Sequence, residues 1–424
     1  MTITRRQALA GLLGVAALGG TAACARGQYL TPDGTLSLWY WDRSISDTLL
    51  EQVPKVVGTK LQPTKVPGNF KSKLLTSLAG KAYIPDMTAL NDNIATYFPD
   101  ADQFVDLYDL GAKDLQDEYL DWKWQCGVTP EGRMIGFPMD TGPTALFYRA
   151  DLFEKAGLPS EPREVEAEIQ TWDDYLKAAD QVAKALPGVK MVPDIWTAVY
   201  LQVVCQLDKR YMTKANEYIG DGDHIKQAWD LAAEFSKRGF DAHAGAFSSD
   251  WGAAMSSGKI ASFVDAVWAA KILSDSTADS EAVGTFRVCR APGGAGNRGG
   301  SFLSILKASR DPEAAWEVIK WVQSPKNQLA AYKEIQLFPA AKDALTSKDV
   351  REPEEYFGGQ VINDVFGESA RNVKPVYMSP YDDIITTALN TQLTNVWSQG
   401  KDPERAWKDG QSEVQRQLEH LGVV

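Results

Sequence analysis

The chain of 424 residues carries three histidines, His224, His243 and His420, and they stand far apart. None is placed at metal-binding spacing, no His-Glu-x-x-His run occurs, and nothing else calls for a cofactor. No Gly-x-Ser-x-Gly elbow is present to raise a nucleophilic serine. Residues 252–259 end in Gly258-Lys259, faintly like a phosphate loop. The spacing is wrong, however, and Ile260 stands where Ser or Thr would be needed, so Gly258 reads as a helix C-terminus. Glycoside hydrolysis needs only two nearby carboxylates, and 56 acids leave that chemistry open. The chain also offers aromatic area: 13 Trp, 15 Tyr and 15 Phe. Most must fill cores, as Trp316 and Trp321 should within their helical pattern, but a few can line a groove. An aromatic face matches the C–H face of a pyranose ring, and neighbouring carboxylates accept its hydroxyl hydrogens. Asn91-Asp92-Asn93 supplies such acceptors at a strand end, where the alternative is a cap for the next helix.

The elements that would hold these residues read as strands and helices in alternation, which favours a mostly parallel α/β layer. Residues 35–41 alternate small or polar with large apolar side chains and predict a first strand. Trp41, Asp42 and Arg43 follow it, either as a solvated turn or as ligand contacts. A helix to about residue 57, a strand over 60–66, a helix over 70–78 and a buried strand over 85–90 come next. Thr171-Trp172-Asp173-Asp174 is a capping-box start, and Asp311-Pro312, Ser324-Pro325 and Asp402-Pro403 each open a helix with proline at its first position. Residues 291–300 hold five glycines in ten, marking a flexible crossing or a close backbone approach.

The N-terminus has a basic head with Arg5-Arg6, then an apolar run over residues 8–23 ending at Cys24. That run, about 16 residues, is below the roughly 20 a membrane span needs, so 1–23 reads as a signal peptide. Thr21-Ala22-Ala23-Cys24 resembles a lipobox, in which the cysteine sulfur is lipidated, and Arg5-Arg6 resembles a twin-arginine signal, with Sec export as the alternative. A plain signal peptide with an incidental cysteine is the alternative to lipidation. Residues 24–34 form a polar tether. Loss of the leader takes the net charge from −12 to −14. Such an acidic chain is a poor partner for nucleic acid. The remaining length, about 400 residues, suits two lobes. Cys126, Cys205 and Cys289 leave open one disulfide plus a thiol, or three thiols.

Residues 132–158, from Gly132-Arg133 through Phe137-Pro138-Met139-Asp140-Thr141-Gly142-Pro143 to Ala156-Gly157-Leu158, followed by Thr171-Trp172-Asp173-Asp174, resemble the signature of family 1 extracellular solute-binding proteins of ABC importers, the class of maltose-binding protein. Further segments match in order: Leu38-Trp39-Tyr40-Trp41, Ile84-Pro85-Asp86-Met87, Met255-Ser256-Ser257-Gly258-Lys259-Ile260-Ala261, Leu337-Phe338-Pro339-Ala340 and Tyr356-Phe357-Gly358-Gly359-Gln360. The resemblance covers nearly all of the mature chain. It implies a two-lobed, type II periplasmic-binding-protein-like α/β fold with a cleft at the hinge. Lobe 1 would comprise residues 35–139 plus 302–365, and lobe 2 residues 144–297 plus 370–424. Crossings would fall near 139–143, 294–301 and 366–373.

The same resemblance implies an exported, lipid-anchored monomer at the outer face of the cytoplasmic membrane or in the periplasm. Its partners would be a mono- or small oligosaccharide and ABC permease subunits. Asp140 would face the cleft from the first crossing, Trp196 would lie in lobe 2 or its core, and Trp268 would match the family's sugar-stacking tryptophan. Gly300 would present backbone groups, and Tyr381 would form an aromatic wall. Arg298 stands where many relatives have Trp, and could grip a hydroxyl pair or a carboxylate. The ligand contacts expected are thus Trp41, Asp42, Asp92, Asp140, Trp196, Trp268, Arg298, Gly300 and Tyr381. The competing readings are a secreted carbohydrate-active hydrolase and the same fold binding another polar solute.

Overall fold

The computed structural model describes residues 27–28 and 32–424; the leader, Cys24 and most of the tether lie outside the described residues. Eight strands organise two sheets: β1 (Thr35–Tyr40), β2 (Lys60–Lys65), β3 (Met87–Leu90), β4 (Phe137–Pro138), β5 (Thr144–Arg149), β6 (Ser262–Ala266), β7 (Phe286–Cys289) and β8 (Phe302–Ile305). The first sheet has the order β2-β1-β3-β8-β4. Strand β1, paired on both edges, shows the two-residue period directly. Leu36, Leu38 and Tyr40 enter the core on one face, and Trp39 enters the core on the other. The second sheet has the order β6-β5-β7, covered by one large core that includes the helices Trp172–Ala185, Asp223–Lys237 and Asp382–Gln399.

Within these two sheets, parallel pairing is confined to β1, β2 and β3; β8 runs antiparallel to β3 and β4, and the second sheet is antiparallel throughout. This departs from the mostly parallel layer that alternation predicts. The reason is topological: β8 and β5 are entered from the other sheet, so each runs back against its neighbours. Local signals fare better. The capping box at Thr171 forms in full, with its hydroxyl accepting from the Asp174 N–H and Asp174 accepting from the Thr171 N–H. The first helix starts at Asp47 behind the cap Ser46, after residues 42–45 turn and bury Ile45. Trp316 is buried in the first sheet's core and Trp321 packs against it. The cysteines Cys126, Cys205 and Cys289 are free thiols.

Two of the expected crossings run side by side between the sheets. The Met139 N–H donates to the Ser301 carbonyl at 3.0 Å, the Arg298 N–H to Gly142 at 2.8 Å, and the Thr144 N–H to Gly296 at 2.9 Å. A third segment lies alongside, where Thr141 N–H donates to Phe338 at 2.8 Å. Residues 366–373 sit within and just after the helix Ile362–Asn372, which packs on β5 and β7. The chain already touches β7 at Glu355–Phe357.

Candidate ligand-binding cleft

The crossings are packed tightly enough to demand particular residues. A Cβ on Gly142 would lie 1.9 Å from the Arg298 carbonyl oxygen, so the antiparallel approach of the two strands excludes any side chain there. Gly300 has φ +92°, and its Cβ would meet the Asp140 carbonyl oxygen at 2.7 Å and Lys123 Nζ at 3.0 Å. Asp140 itself is buried, and its Oδ1 accepts from the Ser301 N–H at 2.7 Å. Burial raises its pKa, against the pull of Lys123. Lys123 is only 2% exposed and lies 3.4 Å from the Phe302 ring centroid; burial lowers its pKa to about 8, with Asp140 opposing. Asp140 and Gly300 thus form one side of the hinge.

Arg298 and Trp268 form the other. Arg298 Nη1 bonds Asp265 Oδ1 at 2.6 Å, its guanidinium lies 4.9 Å from the Trp268 ring, and the Trp268 indole N–H donates to its carbonyl at 3.1 Å. Phe247 meets the same indole edge-on at 5.3 Å. The arginine that replaces an expected tryptophan therefore covers Trp268 and neutralises a buried aspartate at the end of β6. Burial pushes Asp265 up and Arg298 pulls it back. Nearby Asp194 accepts from the Thr197 N–H at 2.5 Å, while burial drives its pKa up to about 6.

Beside the crossings is a cavity of about 210 Å³ with walls from both sheets' domains. Asp92, Asn93 and Thr96, just past β3, form one wall. Leu201, Cys205, Arg210 and Tyr211, after the helix Trp196–Tyr200, face them together with Asp382 and Asp383 from the start of the helix Asp382–Gln399; Asn297 and Arg298 form the floor. The two walls are tied across the gap. Asp383 accepts from Lys71, from Asn93 Nδ2 at 2.9 Å and from Thr96 Oγ1 at 3.4 Å. A larger cavity, 640 Å³, runs between the helix Pro162–Glu168, β7 and the helix Ile362–Asn372, all on the second-sheet side. It does not join the two walls, so the smaller one is the better candidate for a ligand held by closure.

Of the nine ligand contacts expected from the sequence, Asp92 and Arg298 line this cavity, as does Asn93 of the same polar strand end. Asp140, Gly300 and Trp268 belong to the hinge that backs it. Tyr381 precedes Asp382 and packs against the second core. Trp196 stacks on buried Tyr200 at 4.7 Å and 16°. Trp41 meets Phe70 edge-on at 5.1 Å, and Asp42 is exposed with Lys65 at 3.5 Å; none of Trp41, Asp42, Trp196, Trp268 or Tyr381 lines the cavity. Sequence reasoning missed Lys71, Lys123, Arg210, Asp382 and Asp383. Tyr381, expected as an aromatic wall, stands next to the acids Asp382 and Asp383 that line the cavity.

Two sheet-based lobes, three chain segments running side by side between them and a cavity lined from both sides make up the architecture. Comparison with known proteins gives its family: the bacterial extracellular solute-binding protein model matches residues 58–329, and the chain belongs to that family. It is 24% identical to the lactose-binding protein of Rhizobium radiobacter over 420 residues, covering 92% of each chain. Among solved structures it resembles an extracellular solute-binding protein family 1 member at TM-score 0.85 and 28% identity, covering 90% of this chain and 99% of the other. It also resembles the galacto-N-biose-/lacto-N-biose I-binding protein of Bifidobacterium longum at TM-score 0.75 and 21% identity, over 93% and 99%. The proteins it resembles are binding proteins, and the chain is a solute-binding protein rather than an enzyme. No helix among the described residues is long and apolar enough to cross a membrane.

Proposed function

We propose that this protein is an exported receptor, anchored by lipid at Cys24, that captures a mono- or small oligosaccharide by lobe closure and delivers it to an ABC permease. The observation that carries the reading is the cavity itself. Hydrogen-bonding groups from both walls converge on it, and Asp383 bridges the gap to Lys71, Asn93 and Thr96. Closure of this kind buries a ligand between lobes, and the ligand shifts the balance only through its extra affinity for the closed form. The names of the relatives, which bind lactose, arabinooligosaccharide and lacto-N-biose, favour a saccharide. The leader ending in Thr21-Ala22-Ala23-Cys24 supports export and anchoring.

A thermal-shift screen of saccharides, polyol phosphates and peptides tests the ligand class. A ligand at about a hundred times its Kd stabilises the folded form by roughly 2.7 kcal/mol, readily seen as a higher Tm. A shift with a saccharide, and recovery of that saccharide uncut, is the expected result. A shift only with a phosphate or peptide would reject the saccharide. Mass analysis of the mature N-terminus tests the anchor: a diacylglyceryl-modified Cys24 is expected, and an unmodified one refutes it.

A further inference from the structure

The cavity is lined by two charged side chains that each have one polar atom withdrawn from solvent and left unsatisfied. Arg210 Nε and Asp382 Oδ1 are both buried without a hydrogen-bond partner among the described residues. They attract one another through space, yet no ion pair or hydrogen bond joins them. The remaining Asp382 oxygen, Oδ2, accepts only the Ser379 N–H, at 3.2 Å. Across the gap, Asn93 Oδ1 is likewise buried and unpartnered. Unsatisfied buried groups of this kind are costly, so a set of them facing one cavity marks where a ligand completes the bonding.

The charges around the cavity specify what kind of ligand. Lys71 is taken by Asp383, Arg298 by Asp265, and Lys123 lies under the pull of Asp140. Arg210 is matched by Asp382, which leaves Asp92 as an acid in excess. Among the described residues around the cavity, no cation is therefore spare for an anionic ligand. Of the aromatic residues expected to face a ligand, Trp268 is covered by Arg298 and Trp196 by Tyr200.

On the saccharide-receptor reading above, we propose that Arg210 and Asp382 form a split ion pair that an uncharged saccharide completes with adjacent hydroxyls. One hydroxyl donates to Asp382 Oδ1, its neighbour accepts from the Arg210 guanidinium, and Asp92 and Asn93 close on the ring from the opposite wall. Recognition is then by charge-assisted hydrogen bonds rather than by aromatic plates. An acidic sugar is disfavoured, because its carboxylate would face Asp382 and Asp92.

Calorimetric titration of the full mature protein tests this with matched pairs of neutral saccharides and their uronate counterparts. The wild type should bind a neutral saccharide and bind its uronate at least about tenfold more weakly; Arg210→Met and Asp382→Asn should each weaken the neutral ligand about tenfold or more. Arg210→Lys, which keeps the charge but not the planar fork, should fall between. The comparison of neutral with acidic ligands on the wild type stands even if a variant fails to fold. A uronate bound more tightly than its neutral counterpart overturns the proposal. So does a neutral ligand whose affinity stays within twofold in folded Arg210→Met and Asp382→Asn, although the receptor reading would survive that result. If no saccharide binds while another solute does, both fall.

Discussion

The hinge and the cavity wall are neighbours with opposite bonding. At the hinge, Asp140 is met by the Ser301 N–H, Arg298 by Asp265, and the Trp268 indole by a carbonyl. In the cavity, Arg210, Asp382 and Asn93 each keep a buried polar atom with no partner among the described residues. The contrast separates two roles that residue type alone does not. On the proposed reading, the paired charges at the crossings hold the lobes, and the unpartnered groups at the cavity are completed by a ligand.

Substitutions can break this contrast from either side. The largest effect on stability is expected from Asp265→Asn, which strands the Arg298 cation in a mostly buried site and should cost about 3 kcal/mol in urea unfolding. Gly142→Ala should follow at about 2 kcal/mol by overpacking the crossings, whereas Gly245→Ala, with open space around it, should stay within about 0.5 kcal/mol. An unchanged midpoint for Asp265→Asn would mean that the hinge pair does not organise the lobes. Asp383→Ala removes the tie to Lys71, Asn93 and Thr96 and should weaken ligand binding roughly tenfold with little change in unfolding. A large stability loss instead would make Asp383 part of the frame rather than of closure.

The smallest effect is on pH dependence. Burial pushes Asp382 up to about 7 and Asp194 up to about 6, so the folded protein binds more protons than the unfolded chain between about pH 4 and 7. Stability contributed by these groups is lost as pH rises through that window. Arg210 opposes the shift on Asp382; burial raises Tyr211 and Tyr377, and the Asp382 charge adds to both. Asp382→Asn should flatten the fall in Tm between pH 5 and 7.5 in the ligand-free protein; an unaltered slope would show that Asp382 is already ionised and solvated.

The sequence made the frame legible where the signal was local. The alternation in residues 35–40, the capping box at Thr171 and the glycine-rich run before Ser301 each carry their meaning within a few residues. Asp92 was readable as a polar strand end. Lys71, Lys123, Arg210 and Asp383 were not, because each looks like an ordinary surface charge until the fold brings distant segments together. The Trp268–Arg298 pair shows the same limit. Both residues were noticed separately, but that one would cover the other depends on a contact 30 residues apart along the chain.

Closure over a saccharide is tested most directly by small-angle X-ray scattering of the mature protein, alone and saturated with the saccharide that raises its Tm. The account predicts a smaller radius of gyration with the saccharide, and a smaller contraction in Asp383→Ala. An identical radius with the saccharide demonstrably bound would contradict it.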